Sequence, residues 1–224
     1  MHLPERQPRE SGRDYALRTI KENIISLELA PGSPVSENEL SAAMGLSRTP
    51  VREALIELSK VKIVEISPQK RSVVAPIDYE LVEESRFMRN VLECAVAELD
   101  CEMAKPADLR RLEENVRLQR FYLEDGPPEA LMALDDQFHE ILFEIAQKTQ
   151  VYALTRNISI HFDRVRRMSL ESVKDLKIVQ DHAQILDAIR SRTPDRARYL
   201  MQTHLGRYRI DAAAIREKYP QYFS

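Results

Sequence analysis

The sequence predicts a mainly α-helical protein, with three helices and a β-hairpin followed by an all-α bundle of about six helices. Two observations carry this prediction. Apolar residues recur with a helical period over most of the 224 residues. The β-rich segments are short and confined to residues 61–66 and 72–75, just before Pro76. We therefore expect one domain at residues 1–76 and an all-helical domain at residues 77–224.

The first two helices of the smaller domain are defined by their ends. Tyr15 to Leu29 carries apolar residues at helical spacing, and the Pro-Gly-Ser-Pro run at 31–34 stops that helix. Ser36 is followed three residues later by Glu39, a pair that fits a capping box. This pair predicts a short second helix that continues through Met44.

A tight turn and a third helix come next. Gly45 supplies the turn, Ser47 can cap the following helix, and Pro50 falls in its first turn, where a missing N–H costs nothing. The helix is expected to run to about Lys60. The predicted inward-facing residues are Val51, Leu55 and Leu58. The segments 61–66 and 72–75 then form a hairpin whose tip is residues 67–71.

No strand signal follows Asp78, which can cap the first helix of the bundle. The breaks between helices are marked by Pro106, Gly126 with its two prolines, the polar stretch 148–150, the stretch around Ser172, and Pro194. The predicted helices are 79–104, 107–124, 128–147, 150–170, 173–191 and 195–217. This pattern is typical of a helical bundle.

Composition excludes a membrane protein and makes no general case for nucleic acid. No apolar run approaches the roughly 20 residues that span a bilayer. The polar N-terminus, where His2 is expected to be mobile, resembles neither a signal nor a transit peptide, which predicts a cytoplasmic protein. Residues 1–76 hold 11 Lys/Arg and 10 Asp/Glu. Any DNA binding must therefore come from a local cluster of positive charge.

Such a cluster lies at the start of the third helix. Arg48 and Arg52 are four residues apart, so they project from one side of the helix that a helix-turn-helix inserts into the major groove. Arginine can bind guanine through two hydrogen bonds, and hydroxyl groups can bind phosphate. The predicted DNA-binding residues are Ser47, Arg48, Thr49, Arg52 and, at the hairpin tip, Lys70 and Arg71. Solvated surface charge is the alternative for the arginines.

The run from Pro31 to Leu58, PGSPVSENELSAAMGLSRTPVREALIEL, resembles the winged helix-turn-helix of GntR-family regulators. The resemblance implies sequence-specific DNA binding. Two departures affect the wing, because Lys62 and Arg71 replace residues that are usually glycine in the family. Glycine permits a positive φ or a close backbone approach. We therefore rely more on the recognition-helix contacts than on the wing contacts.

The bundle contains a set of residues that suits a metal ion. Asp135 and His139 are four apart on one helix and can converge on one ion, while His182 and His204 lie on apolar stripes. A buried histidine needs a partner, which is either a hydrogen bond or a metal. The residues alone leave both readings open.

Three segments resemble landmarks of the FCD ligand-binding domain found on one branch of the GntR family. They are Asp135 to His139, Asp181 to Ile189, and Thr203 to Leu205. The resemblance implies that Asp135, His139, His182 and His204 bind a divalent ion. Imidazole and carboxylate ligands suit Zn, Ni, Mn or Fe.

Three further residues are candidate ligand-binding groups. Arg89 lies on a buried face and suits clamping a carboxylate, although an ion pair with Glu93 is the alternative. His161 lies on an apolar stripe and is either a pocket residue or an ordinary core histidine. Arg164 is a candidate of the same kind as Arg89.

Together these features predict a homodimeric transcription factor, most simply a repressor, with double-stranded operator DNA and a small organic acid as partners. Dimerisation is expected because symmetric half-sites need two recognition helices. One alternative is a metal-dependent enzyme, but no general base stands at a telling spacing, and we expect no catalytic residue. The other is a metal-free regulator that senses an acyl ligand.

Overall fold

A computed structural model describes residues 1–67, 72–172, 176–207 and 212–224. The fold is mainly helical, as predicted, with a small three-stranded sheet near the N-terminus. The chain divides into two compact units. The first comprises Met1–Val82, Ile160–Arg164 and Arg216–Ser224, and the second comprises Glu83–Ser159 and Val165–Ile215. Within the described ranges, no helix combines the length and apolarity that a membrane crossing requires.

Three helices form the predicted start of the first unit. Helix α1 spans Gly12–Ile25, three residues earlier than expected, because Ser11 caps it by accepting a hydrogen bond from the Asp14 amide. It ends before the Pro-Gly run because Leu27 takes a φ of 65° and turns the chain. Helix α2 spans Glu37–Met44, and helix α3 spans Arg48–Lys60.

The predicted chemistry at the start of α2 and in the turn to α3 is confirmed in part. The Ser36 hydroxyl accepts from the Glu39 amide at 3.4 Å, and Gly45 takes a φ of 65°. Pro50 lies in the first turn of α3, where no N–H is missed. Ser47 occupies the N-cap position, but its side chain makes no capping hydrogen bond. The predicted inward-facing residues of α3, which are Val51, Leu55 and Leu58, are buried.

The small sheet contains the predicted hairpin and one strand that the sequence analysis missed. Strand β1 is Pro34–Val35, β2 is Val64–Glu65, and β3 is Ser72–Val74. The strands are antiparallel in the order β1-β3-β2, with Val35 opposite Ser72 and Val64 opposite Val74. A two-residue strand is too short to show a period of two, so β1 had no detectable sequence signal.

The departure at Lys62 is visible in the backbone. Lys62, which precedes β2, has a φ of 57°, the left-handed conformation that favours glycine. A lysine there costs on the order of 1–2 kcal/mol relative to a right-handed conformation. The glycine that is usual in the family thus has a conformational reason, which this chain overrides.

The N-terminal residues are held against α1, contrary to the expectation of a mobile terminus. The His2 amide donates to Asn23 Oδ1 at 2.6 Å, and the Asn23 side-chain amide donates to the His2 carbonyl at 2.7 Å. Arg18 on the same helix bonds to Glu10 at 2.8 Å. These partners are about 20 residues away or less, but their pairing has no periodic signature in the sequence.

The bundle region contains eight helices in its described part rather than about six. Helix α4 is Tyr79–Met103, α5 is Pro106–Asp125, α6 is Pro128–Ile145, α7 is Thr149–Ile158, α8 is Ile160–Ser172, α9 is Leu176–Arg190, α10 is Pro194–Gly206 and α11 is Ala212–Lys218. The predicted helix 150–170 is divided at Ser159. The Thr155 hydroxyl donates to the Val151 and Tyr152 carbonyls, and such competition with backbone hydrogen bonds bends helices.

Cys94 and Cys101 are buried free thiols, as predicted. Burial raises the pKa of each thiol to about 11. At neutral pH both are therefore protonated and unreactive. They belong to the apolar core of the second unit, together with Phe138, Leu142 and Ile185.

A carboxyl group without a hydrogen bond lies in this core. Asp100 on α4 has no exposed surface, and neither of its carboxyl oxygens has a hydrogen-bond partner among the described residues. Burial, and secondarily the charge of Asp108, raises the pKa of Asp100 to about 9. The unfolded chain should titrate near the ordinary value of about 4. The folded protein therefore holds a proton that the unfolded chain releases between these two pH values, and stability falls as pH rises through that window.

We expect Asp100→Asn to raise the free energy of unfolding at pH 8 by about 2–4 kcal/mol, because the folded variant no longer has to protonate a buried carboxylate. The gain should shrink steadily towards pH 4. Urea unfolding at pH 4.5, 6 and 8 measures this, with the exposed Asp187→Asn as a control for loss of one carboxylate. A gain that is the same at all three pH values would contradict the prediction.

Candidate functional site

Arg48 and Arg52 lie in the first turn and a half of α3, with their side chains pointing into solvent. Their side chains are 68% and 70% exposed. Ser47 and Thr49 beside them are also exposed. This is the end of the helix that a helix-turn-helix presents to base edges. Lys70 and Arg71, the predicted wing contacts, lie outside the described residues.

The sequence analysis did not single out the carboxylate between these arginines. Glu37, the first residue of α2, places Oε2 at 3.1 Å from Nη2 of Arg48 and Oε1 at 3.9 Å from Nε of Arg52. Its side chain is 29% exposed. The turn at Gly45 brings the starts of α2 and α3 together, so this contact joins residues 11 apart in sequence. The positive cluster is thus centred on one negative charge.

The four predicted metal-binding residues converge in the second unit. Asp135 and His139 lie on α6, His182 on α9 and His204 on α10. All four are buried, and one potential ligand atom from each lies within 4.8 Å of the others. The aromatic ring of Phe138 stacks on His182 with 4.1 Å between ring centroids, which holds that imidazole from one side.

Each imidazole has a polar side chain on its Nδ1 side. His182 Nδ1 donates to the Gln119 side-chain oxygen at 2.7 Å. His139 Nδ1 lies 2.6 Å from Glu93 Oε2. His204 Nδ1 lies 3.7 Å from Asp181 Oδ2, and Arg207 donates to the other oxygen of that carboxylate at 2.7 Å.

The consequence is that the three Nε2 atoms face one another. His204 Nε2 lies 3.3 Å from Nε2 of both His182 and His139. An imidazole that donates through Nδ1 is neutral only if Nε2 carries a lone pair. Two lone pairs at this distance, beside the Asp135 carboxylate, are mutually unfavourable unless a proton or a metal cation lies between them. Partners of this kind on the far nitrogen are also the rule for histidines that bind metals.

The charge state of the cluster agrees with this arrangement. Burial, together with the neighbouring histidines, holds the pKa of His182 well below its usual value. Burial also lowers the pKa of His204. For Asp135, burial would raise the pKa, but the positive charge of Arg166 and smaller contributions from its other neighbours outweigh it and the pKa is lowered. The donor set thus comprises imidazole nitrogens and one carboxylate, which suits Zn or another borderline divalent ion.

Two arginines contact the residues around the cluster. Arg166 on α8 donates from Nη1 to Asp135 Oδ2 at 3.0 Å and also bonds to Asp136. Arg89 on α4 donates from Nε to Glu93 Oε1 at 2.6 Å. The ion-pair alternative for Arg89 is therefore present in the structure. Because Glu93 also contacts His139, Arg89 acts on the cluster through that carboxylate.

A small cavity adjoins His139. Its volume is about 10 Å³, room for one water molecule at most. It is lined by Arg89, Glu93, Asp136, His139, Tyr152, Thr155, Arg156 and Ser159. The Arg156 guanidinium closes one side by donating to the Asp136 carboxylate at 2.8 Å. Cationic and hydroxyl groups thus meet beside a candidate metal ligand.

His161 and Arg164 make their contacts in the first unit and not around the metal cluster. His161 Nε2 donates to the Val61 carbonyl at 2.7 Å. Arg164, which is completely buried, donates to the Ala75 carbonyl at 2.7 Å and lies 3.3 Å from His161 Nδ1. The pocket role predicted for both does not match these contacts. Their helical stripe correctly indicated burial, but a stripe does not identify the surface that buries it.

Five residues make contacts within these two sites, and only some of those contacts could be inferred from the sequence. Glu93 and Asp181 are detectable, since one follows Arg89 by a helical turn and the other precedes His182. The contacts of Glu37, Gln119 and Arg166 have no such signal, because their partners are 11 to 63 residues away. Only the packing of the helices brings them together.

Comparison with known proteins locates both parts of the chain. The family model for bacterial regulatory proteins of the gntR family matches residues 15–74, and the FCD domain model matches residues 84–207. The HTH-type transcriptional repressor RspR of Escherichia coli K12 is 32% identical over 218 residues, which cover 97% of this chain and 96% of the relative. An uncharacterized HTH-type regulator of Streptomyces ambofaciens is 36% identical over 222 residues, covering 96% and 91% of the two chains.

Solved structures show the same fold at lower identity. Escherichia coli McbR/YncC superposes with a TM-score of 0.80 at 19% identity, over 94% of this chain and 99% of that one. A putative GntR transcriptional regulator from Rhodococcus sp. RHA1 gives a TM-score of 0.72 at 23% identity, over 92% and 98%. At this identity the likeness concerns the fold.

Proposed function

The chain belongs to the GntR family of bacterial regulatory proteins, with an FCD domain, and from this premise we propose a repressor whose operator affinity responds to a metal-dependent acidic ligand. As a member of that family it is a transcriptional regulator and not an enzyme. The cytoplasm, where operator DNA lies, is the proposed place of action. Residues 1–76 would read DNA and residues 77–224 would sense the ligand.

The observation that carries the sensing part is the convergence of three Nε2 atoms and one carboxylate in a buried site. Asp135, His139, His182 and His204 would hold one divalent ion. A bound ion offers Lewis acidity and open coordination positions for a ligand oxygen. Glu93, Gln119 and Asp181 would keep the imidazoles in the tautomer that such binding needs.

The small cavity beside His139 supports an anionic effector of few atoms. Arg89 and Arg156 line it, and both are held by carboxylates of the protein, Glu93 and Asp136. A ligand carboxylate could replace the Arg156–Asp136 contact, whose two side chains are 25% and 24% exposed. The cavity would have to widen, which makes binding and conformational change one event. We propose that this coupling changes operator affinity by about 1–3 kcal/mol, or 5- to 150-fold.

We further propose that the protein acts as a homodimer. Phe87 and Val91, one turn apart on α4, are 66% and 52% exposed, which leaves an apolar patch suited to a second copy. A two-fold dimer would present two α3 helices to half-sites about one helical turn of DNA apart. The relative RspR is named as a repressor, which favours repression for this chain.

A duplex selection from random oligonucleotides tests the proposal. The purified full-length protein is incubated with the library in buffer containing Zn²⁺ and, in parallel, in chelator. We expect a shared, two-fold symmetric motif whose binding weakens steeply as salt rises. Absence of any shared motif in both buffers would overturn the DNA-binding part. A motif whose affinity is unaffected by metal and by a panel of small organic acids would overturn only the sensing part.

A further inference from the structure

We propose that Glu37 is a positioning residue for Arg48 and Arg52 and that it sets how strictly α3 discriminates between base sequences. This inference rests on the proposed DNA-binding function. Glu37 lies within the run 31–58 that resembles the family motif, but only the three-dimensional arrangement brings its carboxylate against the two arginines.

Glu37 restricts the conformational freedom of the two arginine side chains. Arg48 and Arg52 are about two-thirds exposed, and an exposed arginine loses about 2 kcal/mol of rotamer freedom when it is immobilised on a base. The Glu37 carboxylate lies 3.1 Å from Nη2 of Arg48 and 3.9 Å from Nε of Arg52, so it draws both guanidinium groups towards one place. Part of the ordering is then present before DNA binds, which favours the one arrangement of base edges that matches it.

Glu37 also affects how the positive cluster interacts with the phosphate backbone of DNA. Glu37 adds a negative charge at the centre of the positive cluster, and that charge is repelled by phosphates wherever the protein lands on DNA. Two arginines without it would bind any duplex more tightly. A carboxylate here therefore lowers non-specific binding, while the correct site compensates through two-bond contacts to guanine.

The position of Glu37 in the fold suits this role. As the first residue of α2, next to the cap Ser36, it sits at a helix start, where the helix dipole stabilises an anion. The side chain is one-third exposed at most, because the start of α3 lies against it. Glu39, two residues later on α2, is exposed and forms no contact with either arginine among the described interactions. Helix α2 thus carries one carboxylate that contacts the arginines, on Glu37, and one that does not, on Glu39.

The test compares Glu37→Gln with Glu39→Gln, which removes the same charge from the same helix. Affinities for the selected operator and for a scrambled duplex of equal length are measured over a salt series, and thermal unfolding is recorded for each variant. We expect Glu37→Gln to bind the scrambled duplex more tightly and to lose at least tenfold in the operator-to-scrambled ratio, with the melting temperature unchanged. Glu39→Gln should keep the parental ratio, and Glu37→Asp should restore part of it.

The outcomes separate this inference from the proposed function. If the parent shows no preference for any duplex, the DNA-binding function itself is wrong. If the parent is selective and Glu37→Gln keeps the full ratio, or loses no more than Glu39→Gln does, the positioning role is wrong. If Glu37→Gln loses discrimination at a single cytosine and nowhere else, Glu37 reads that base directly and the positioning role is again wrong.

Discussion

Replacing both Arg48 and Arg52 by alanine is expected to remove most of the preference for operator over random DNA. Each arginine that binds a guanine through two hydrogen bonds contributes about 1–3 kcal/mol of discrimination. Together the two substitutions should lower the operator-to-random ratio by about 30-fold or more, since 1.4 kcal/mol corresponds to a factor of ten. Both side chains are about two-thirds exposed, so the fold should survive.

The experiment separates base reading from charge. Lys60→Ala removes one positive charge from the other end of α3, where the side chain is 63% exposed, and serves as the matched control. Because Lys60 pairs with Glu57 at the far end of the helix, that control should leave the operator-to-random ratio unchanged. Binding is measured by competition between the two duplexes at fixed salt. Parental selectivity in the double arginine variant would show that other residues read the bases.

The second large effect is expected at the four predicted metal-binding residues. In the presence of Zn²⁺ at 100 to 1,000 times the dissociation constant, a single bound ion raises the free energy of unfolding by about 2.7–4.1 kcal/mol. We expect chelator to remove this increment from the parent protein. The variants His182→Gln and His204→Gln, which keep much of the side-chain volume, should show no chelator effect and a metal content near zero. Elemental analysis and thermal unfolding measure the two quantities.

His161→Gln is the matched control for the metal prediction. His161 is as buried as the cluster histidines, but its partners are Val61 and Arg164. This variant should keep one ion per chain and the full chelator effect, even if it lowers stability. Unchanged metal content in both cluster variants would place the ion elsewhere, and an absence of metal from the parent would favour the acyl-sensing alternative.

The local elements could be predicted because their causes are local. Ser36 and Glu39 are three residues apart, Pro50 follows a capping position, and Gly45 takes the positive φ that its turn requires. Each of these constraints acts within one helical turn, so the sequence carries it whole. Their boundaries were less certain where a non-local or strained residue intervened. Leu27 ends α1, and Ser159 divides a helix that the apolar pattern had continued.

The four predicted metal-binding residues could be identified for a related reason. Asp135 and His139 share a helix face at spacing of four, and the resemblance to a known domain added His182 and His204. What surrounds them was not predictable. Gln119 is 63 residues from His182, and Arg166 is 31 residues from Asp135. Helical periodicity says that a side chain is buried, but it carries no information about the helix that buries it.

Sequence alone predicted the class of protein and the recognition helix, and with the family resemblance it predicted the four residues that the fold brings together. Only the tertiary structure decided which side chains flank the histidines, the approach of Glu37 to two arginines, and the placement of His161 and Arg164 against the carbonyls of Val61 and Ala75. The physical reason is the distance along the chain between the residues that interact. Caps, turns and helix faces are set by neighbours in the chain, whereas hydrogen-bond partners in a packed core are set by whichever helices burial of apolar surface brings together.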